Sequence, residues 1–357
     1  MMRTKPDYNK AKRCAYKALE EHNVNDFPID ILTILNSYDD IKIIKYSEMA
    51  KQHGCSIEEI ISLNSSEDGV IHYSGKRDKY IIAYNDTIEV KERVYWTLAH
   101  EFGHYILGHH KESERYSLSR NEISEDEYNI HEVEANFFSR FFISPPAIIV
   151  EANMHDHNKI MEFFGISFTA AINTLKYIQN SYNKGFRFFL PETLSNRFKT
   201  FIRKVVYGRT CSNCSAFSFR SNLHHCGICG SNDFHNFMKG EDIDMIYPGV
   251  EVNQEGKAIV CPVCSNEETN IEGDYCTQCG TYIVNKCSVT DVDWNDNEYH
   301  TCPDPLPGNI RYCPSCGSKT TFLENGILSE WNEVINGNVK KPQLSAVPDL
   351  SDDDLPF

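Results

Sequence analysis

The chain has 357 residues, of which 41% are hydrophobic and 12% aromatic, so it can bury at least one sizeable core and is too long for one ordinary domain. Its formal charge of −16 argues against a protein that coats nucleic acid through bulk charge. The first residues have a polar helical pattern, and no run of about 18 apolar residues follows. We therefore expect a cytoplasmic protein that makes no membrane contact.

The first 185 residues alternate helical and strand patterns, which predicts an α+β domain. The predicted elements, in chain order, are helices over 9–21 and 29–35, a strand over 41–44, a helix over 57–63 entered from Ser56, and strands over 70–73 and 80–84. The residues Asn85, Asp86 and Thr87 then offer caps for a long helix that runs to about Leu107.

That long helix contains the sequence AHEFGHY at residues 99–105. His100 and His104 are four residues apart, so both rings can reach one metal ion from a single helix face. Glu101 lies beside such an ion without binding it, where it can take a proton from zinc-bound water. The motif predicts a zinc peptidase site, and the alternative is a chance match on a solvated helix.

A second helix, predicted over residues 131–142, offers a third ligand. Its apolar period leaves Glu134 on the edge of the buried face. A carboxylate there would complete a set of two histidines and one glutamate, with a fourth position open for water. Glu134 could instead be a solvated charge, and His109, His110 and His131 compete for the third place.

Three stretches carry a family resemblance: IIAYN at 81–85, WTLAHEFGHYILGH at 96–109 and EVEANFF at 132–138. Together they resemble the ImmA/IrrE family of metallopeptidases over roughly residues 10 to 180. The resemblance implies a zincin-like fold with zinc on His100, His104 and Glu134, and with Glu101 as the general base. It also implies cleavage of a repressor or regulator, often of the helix-turn-helix type, in a DNA-damage or mobile-element and defence response. The sequence departs from the family in the bulky residues 139–145 that close the second helix.

The substrate would need a surface and an oxyanion stabiliser near the motif. The strand at 79–84 is a candidate edge along which an extended substrate could lie. Tyr84, Tyr105 and His109 are candidate oxyanion stabilisers because they lie close to the motif in sequence.

Twelve of the fourteen cysteines lie between Cys211 and Cys316, and ten of the twelve form Cys-x-x-Cys pairs. A disulfide-rich domain is the alternative, but close pairs in a chain with no secretion signal favour thiolate zinc sites. Two sets have identical gaps fifty residues apart: Cys211, Cys214, Cys226 and Cys229, then Cys261, Cys264, Cys276 and Cys279. A third set consists of Cys287, Cys302, Cys313 and Cys316, in which His300 could replace Cys287. We therefore expect one catalytic zinc ion and two or three structural ones.

These patterns predict small zinc-ribbon modules behind the peptidase domain. The predicted division is a peptidase domain at 1–185, a basic connecting segment at 186–210, zinc ribbons at 211–240 and 255–285, a third zinc site at 286–325 and an acidic disordered tail at 345–357. The connector holds five basic residues from Arg197 to Arg209 that could face solvent or a phosphate backbone. Phe217, Phe219 and Arg220 would suit base stacking, so single-stranded DNA is a candidate partner.

The last nine residues, DLSDDDLPF at 349–357, resemble the C-terminal tip of bacterial single-stranded DNA-binding proteins. The resemblance implies docking onto DNA-repair proteins, and the alternative is a disordered solubilising tail. The residues predicted to bind the partner are Asp352, Asp353, Asp354, Pro356 and Phe357.

Two functions follow from the sequence. The first is a zinc endopeptidase that cleaves a repressor or regulator. The second is a non-catalytic zinc-dependent adaptor or DNA-binding transcriptional regulator, in which the peptidase fold only binds. The intact Glu101 favours the enzyme.

Overall fold

The structure is a computed structural model that describes residues 5–113, 125–240, 246–270, 272–292, 298–302 and 304–337. Helices and strands are mixed along the chain, as the α+β prediction requires. The chain separates into two compact units, Met1–Val206 and Tyr207–Phe357. Among the described helices, none has the length and apolar character needed to cross a bilayer.

The first unit is mainly helical, with one small sheet. Its helices are α1 (Tyr8–Glu21), α2 (Ile31–Asn36), α3 (Tyr46–His53), α4 (Ile57–Asn64), α5 (Lys91–Leu107), α6 (His109–Ser113), α7 (Glu125–Ile143), α8 (Pro146–Glu151), α9 (His157–Phe164), α10 (Phe168–Asn183) and α11 (Glu192–Tyr207). Its strands are β1 (Ile41–Lys45), β2 (Gly69–Ser74) and β3 (Lys79–Tyr84).

The three strands are ordered β1-β3-β2, with β1 parallel and β2 antiparallel to β3. Ile82 of β3 pairs with Ile43 on one side and Ile71 on the other. The expectation that an extended substrate lies along residues 79–84 is therefore wrong, because both edges of β3 already pair with strands. The edge strand on this side of the sheet is β2.

Two long helices, α5 and α7, pack closely against each other in the core. The ring of Phe102 on α5 lies 5.8 Å from that of Phe138 and 5.4 Å from that of Phe142, both on α7. Gly103 permits this approach, since a Cβ atom there would lie 3.0 Å from Phe138 Cδ1 and 3.2 Å from the Ala135 carbonyl oxygen. The helices are thus held together by buried aromatic side chains whether or not a metal is bound.

Most elements predicted from the sequence occur within a few residues of their expected bounds, but the capping of α5 differs. Val90 precedes α5 and makes no side-chain cap. Asp86 instead accepts hydrogen bonds from the backbone N–H and the hydroxyl of Ser47. Ser47 lies in the first turn of α3, a helix that the sequence pattern did not predict.

The segment predicted as a connector contributes a helix to the first unit. Leu194, Phe198, Phe201 and Val205 of α11 are buried. The ring of Phe27 stacks on Phe198 at 5.1 Å and meets Phe201 edge-on at 5.3 Å. The basic residues of this helix are those left on the outside of an amphipathic packing arrangement.

The second unit has little regular structure. It contains β4 (Arg209–Cys211), β5 (Phe217–Ser218), β6 (Phe234–Asn236), β7 (Thr290–Val292), β8 (Glu298–His300), α12 (Thr321–Glu324) and α13 (Trp331–Ile335). Two small apolar clusters among its described residues include cysteines, with Cys261 and Cys276 beside Phe322 in one and Cys211 and Cys226 beside Trp331 in the other.

Candidate functional site

The two motif histidines converge with a carboxylate from α7. His100 Nε2 and His104 Nε2 lie 3.0 Å apart. The Glu132 carboxylate reaches both, with Oε2 at 3.3 Å from His100 Nε2 and Oε1 at 3.4 Å from His104 Nε2. These three side chains form one compact group of candidate ligand atoms on two helices that are packed together.

The spacing of the three ligand atoms suits a zinc ion. With bonds of about 2.0–2.1 Å, two ligand atoms of a tetrahedral zinc site lie roughly 3.3 Å apart. The separations of 3.0, 3.3 and 3.4 Å between the histidine nitrogens and the Glu132 oxygens are close to that edge. Two neutral imidazoles and one carboxylate are also the donor set of catalytic zinc sites that keep a fourth position open.

Glu134, the third ligand predicted from the sequence, occupies a different position. It is fully buried, and its Oε2 lies 3.0 Å from His109 Nε2 rather than beside the histidine pair. Its other oxygen accepts a hydrogen bond from the backbone N–H of Asp7. Residues two apart on an α-helix point in nearly opposite directions, so α7 can direct only one of Glu132 and Glu134 at the motif. In the structure, Glu132 is the one that points at the motif histidines.

Each of the two motif histidines is held by a hydrogen bond at its Nδ1 atom. His100 Nδ1 lies 3.2 Å from Asn136 Oδ1, one turn beyond Glu132 on α7. His104 Nδ1 lies 2.9 Å from His109 Nδ1, whose ring continues to Glu134. One set of tautomers satisfies the network: each motif histidine donates from Nδ1, His109 donates from Nε2 to Glu134, and both motif Nε2 atoms keep a lone pair for a metal.

The sequence singled out three other histidines as competing ligands, and the structure places all three outside the ligand group. His109 contacts His104 through Nδ1, not through the Nε2 atom that faces Glu132. His131 stacks on His109 with ring centroids 4.3 Å apart. His110 Nε2 lies 3.1 Å from the Ile71 carbonyl oxygen of β2, and burial lowers the pKa of His110 to about 3. A neutral His110 therefore ties α6 to the sheet.

Glu132 and His104 have pKa shifts that favour a bound cation, whereas at His100 the neighbouring Glu132 and Glu101 outweigh the effect of burial and raise the pKa. Burial raises the pKa of Glu132, but the neighbouring His100 and His104 outweigh it and hold that pKa well below its usual range. Burial lowers the pKa of His104, which keeps its ring neutral. An ionised carboxylate beside a neutral imidazole is the protonation state that zinc binding requires.

Glu101 is buried beside the ligand group. Burial raises its pKa to about 7, against the opposing effect of His100. A backbone hydrogen bond from Ile71 of the edge strand β2 also reaches this carboxylate. A carboxyl group whose pKa is close to neutral can both accept and return a proton.

Two candidate oxyanion stabilisers are occupied elsewhere. The Tyr105 hydroxyl donates to the Asp40 carboxylate at 3.0 and 3.2 Å, and burial together with that bond raises the pKa of Tyr105. His109 is committed to His104 and Glu134.

The twelve clustered cysteines form three groups of four. All fourteen cysteines of the chain are free of disulfide bonds. The groups are Cys211, Cys214, Cys226 and Cys229; Cys261, Cys264, Cys276 and Cys279; and Cys287, Cys302, Cys313 and Cys316. Within them, neighbouring sulfur atoms lie 3.5 to 3.7 Å apart. Thiolates about 2.3 Å from a tetrahedral zinc ion lie roughly 3.8 Å apart, so each group is compatible with a zinc site.

The repeat seen in the sequence is also a repeat of backbone geometry. Gly230 and Gly280 follow the second pair of their groups with φ of 75° and 69°. The N–H of each glycine donates to the carbonyl of the first cysteine of that pair, Cys226 or Cys276. Gly317 does the same for Cys313 in the third group. The third group is therefore built with the same turn, and it takes Cys287 rather than His300 as its fourth member.

The other predicted binding residues form two sets: the phenylalanines predicted to stack on bases, and the residues of the C-terminal tail. The ring of Phe217 contacts those of Phe219 and Phe237, with centroids 5.8 Å and 4.7 Å away. These phenylalanines are thus partly used in packing within the second unit. The tail residues Asp352, Asp353, Asp354, Pro356 and Phe357 lie outside the described residues.

Comparison with known proteins bears on the first unit. Residues 50–176 match the Peptidase_M78 family, described as the IrrE N-terminal-like domain. The matched range contains the two motif histidines, Glu101 and Glu132. A search of curated proteins found none that matches the chain. The resemblance that the motifs carry is thereby confirmed as an M78 peptidase-family domain over residues 50–176.

Proposed function

We propose that this protein is a zinc-dependent endopeptidase of the HExxH type. The observation that carries the proposal is the convergence of His100, His104 and Glu132 beside the buried carboxylate of Glu101. The M78 family match over residues 50–176 supports a metallopeptidase independently of that geometry.

In this proposal His100, His104 and Glu132 hold the catalytic zinc, and Glu134 has a supporting role. Asn136 and His109 orient the two imidazoles, and Glu134 fixes the ring of His109. Such partners set the tautomer and direction of a ligand histidine and raise its basicity. Bound zinc supplies Lewis acidity, which polarises a substrate carbonyl and makes a bound water more acidic.

The chain's own residues perform the proton transfers. Glu101 accepts the proton of the attacking water and returns it to the leaving amine nitrogen. Burial raises the pKa of Glu101, because desolvation destabilises the ionised carboxylate. The carboxylate therefore accepts a proton more readily. The edge strand β2 adjoins Glu101 through Ile71, so an extended substrate segment could pair there with its scissile bond near the site.

The three cysteine groups hold structural zinc in this proposal, which gives four zinc ions per chain. The apolar clusters among the described residues of the second unit are small, so metal binding would supply much of its folding free energy.

The biological substrate follows from the family resemblance. We propose a helix-turn-helix repressor or regulator in the cytoplasm, cleaved in a DNA-damage or mobile-element response. The acidic tail at 349–357 would dock onto DNA-repair proteins, with the ring of Phe357 in an apolar pocket and the three aspartates facing basic residues.

The substitution Glu101→Gln tests the proposal. The amide cannot accept the water proton, while the three ligands still hold zinc, so cleavage should fall by about 10²–10⁴-fold with zinc content unchanged. Wild type and variant would be incubated with candidate helix-turn-helix repressors, and products followed by mass spectrometry. Equal cleavage by both proteins would remove Glu101 from the mechanism. Binding of a repressor without cleavage by either would favour the adaptor function.

A further inference from the structure

A groove of about 760 Å³ lies in the first unit beside the metal centre, between α1, α7, α10 and residues 186–188. Its wall includes Asn136, whose side-chain oxygen contacts His100 at 3.2 Å. A molecule in the groove would therefore lie next to the candidate active site.

The groove is basic although the whole chain carries a formal charge of −16. Four cationic side chains line it: Lys12, Arg140, Lys184 and Arg187. No aspartate or glutamate is among the described lining residues, and none of the four cations forms an ion pair with a described carboxylate. The nearby carboxylates of α7, Glu132 and Glu134, are both engaged by histidines.

Arg140 is the cation most in need of a partner. Its Nε atom is buried and has no hydrogen-bond partner among the residues that the structure describes. The guanidinium carbon lies 4.9 Å from the ring centroid of Tyr177, and burial lowers the pKa of Arg140. A partly desolvated guanidinium without an anion is costly, and a carboxylate that bonds to it removes that cost.

Aromatic side chains provide the rest of the wall. Phe137, Phe141 and Tyr177 pack against one another beside Arg140. Phe186 also lines the groove and is 65% exposed. Apolar surface interleaved with unpaired cations suits a ligand that carries both a carboxylate and an aromatic or aliphatic side chain.

We propose that this groove binds an acidic, apolar segment of the protein substrate and holds an aspartate or glutamate carboxylate against Arg140. The proposal rests on the proposed function only in that the segment belongs to the protein to be cleaved. Bound there, the segment positions the substrate beside the metal centre and lowers its KM.

The test measures binding separately from cleavage. The zinc-loaded full-length Glu101→Gln protein is titrated against a fluorescein-labelled peptide of alternating aspartate and phenylalanine, and against the same peptide with asparagine in place of aspartate. We expect the aspartate peptide to bind at least about tenfold more tightly, with an affinity that falls as salt rises. Equal affinity for the two peptides would overturn the proposal.

Substitutions of the cationic groove residues test whether the peptide binds in the groove. Arg140→Gln should weaken the aspartate peptide about tenfold or more, and Lys184→Gln about two- to threefold. Lys176→Gln is the matched control, since Lys176 is exposed on α10 and does not line the groove. A loss with Lys176→Gln as large as with Lys184→Gln would contradict the proposal. If Arg140→Gln fails to fold, the surface double variant of Lys184 and Arg187 carries the same test.

Two further outcomes separate this proposal from others. Displacement of the peptide by inorganic phosphate at the peptide's own concentration would assign the groove to a free anion and overturn the peptide proposal. If wild type cleaves nothing but the acidic peptide still binds and depends on Arg140, the groove stands and the peptidase fails. In a cleaving enzyme, Arg140→Gln should raise KM and leave kcat unchanged.

Discussion

The candidate metal sites of the two units are built in opposite ways. In the first unit, ligands from α5 and α7 are brought together by a core of buried aromatic side chains such as Phe102 and Phe138. In the second unit, each cysteine group lies within about thirty residues of sequence, and the cysteines of the first two groups are themselves members of the apolar clusters. We therefore expect the first unit to position its ligands before a metal arrives, and the second unit to depend on metal for its fold.

Removing zinc should give the largest contrast. Each structural zinc supplies on the order of 10 kcal/mol or more of folding free energy, so a chelator should unfold the region from 207 onward. The first unit should lose activity and keep its structure. Hydrogen exchange with and without chelator measures both units in one sample. Protection that survives equally in both units would contradict the comparison.

The metal count defines the starting point of that experiment. Three cysteine groups and one histidine–glutamate group predict about four zinc equivalents per chain by elemental analysis. A value near one zinc equivalent per chain, with the cysteines oxidised in pairs, would instead indicate disulfide bonds in the second unit.

The next largest effect should come from the third ligand of the first unit. Glu132→Ala removes a carboxylate that contacts both motif histidines, so the zinc content should fall by about one equivalent and cleavage should cease. Because the core of the first unit does not include this side chain, its melting temperature without metal should barely change.

Glu134→Ala is the matched variant, two residues further along the same helix. It should keep the zinc ion but weaken its affinity about 10–100-fold, because His109 loses the partner that orients it. It should also destabilise the fold by about 1–3 kcal/mol, since a buried hydrogen bond is lost. Competition with a zinc-chelating dye separates the two variants. If Glu134→Ala loses the ion and Glu132→Ala keeps it, Glu134 is the ligand.

The smallest effect concerns the spacing of the two helices. Gly103→Ala would place a methyl group 3.0 Å from Phe138 and 3.2 Å from the Ala135 carbonyl oxygen. We expect a cost of about 1–3 kcal/mol from overpacking, and weaker zinc binding as Glu132 moves away from α5. Gly75→Ala is the control, because its new methyl would meet only Tyr73 at 3.8 Å. Thermal melting of both variants measures the difference. Equal melting temperatures would show that α5 and α7 can separate freely.

The sequence by itself determined the elements of local chemistry. The four-residue spacing of His100 and His104 places both on one face of any helix that contains them. The repeated cysteine spacing likewise specifies two groups of four, because each depends on short turns that a few residues determine. Ser56 was also recognisable as a helix N-cap, since a cap depends only on its own first turn.

Other features were decided only by the tertiary structure, because they depend on how separate elements pack. Whether Glu132 or Glu134 faces the motif depends on the rotation of α7, which is set by Phe138, Phe142 and Gly103 at its contact with α5. The position of β3 in the middle of its sheet depends on β1, which lies almost forty residues earlier in the chain. The groove beside Arg140 exists because α1, α7 and α10 meet there. Sequence spacing fixes which residues share a face, and long-range packing fixes what that face meets.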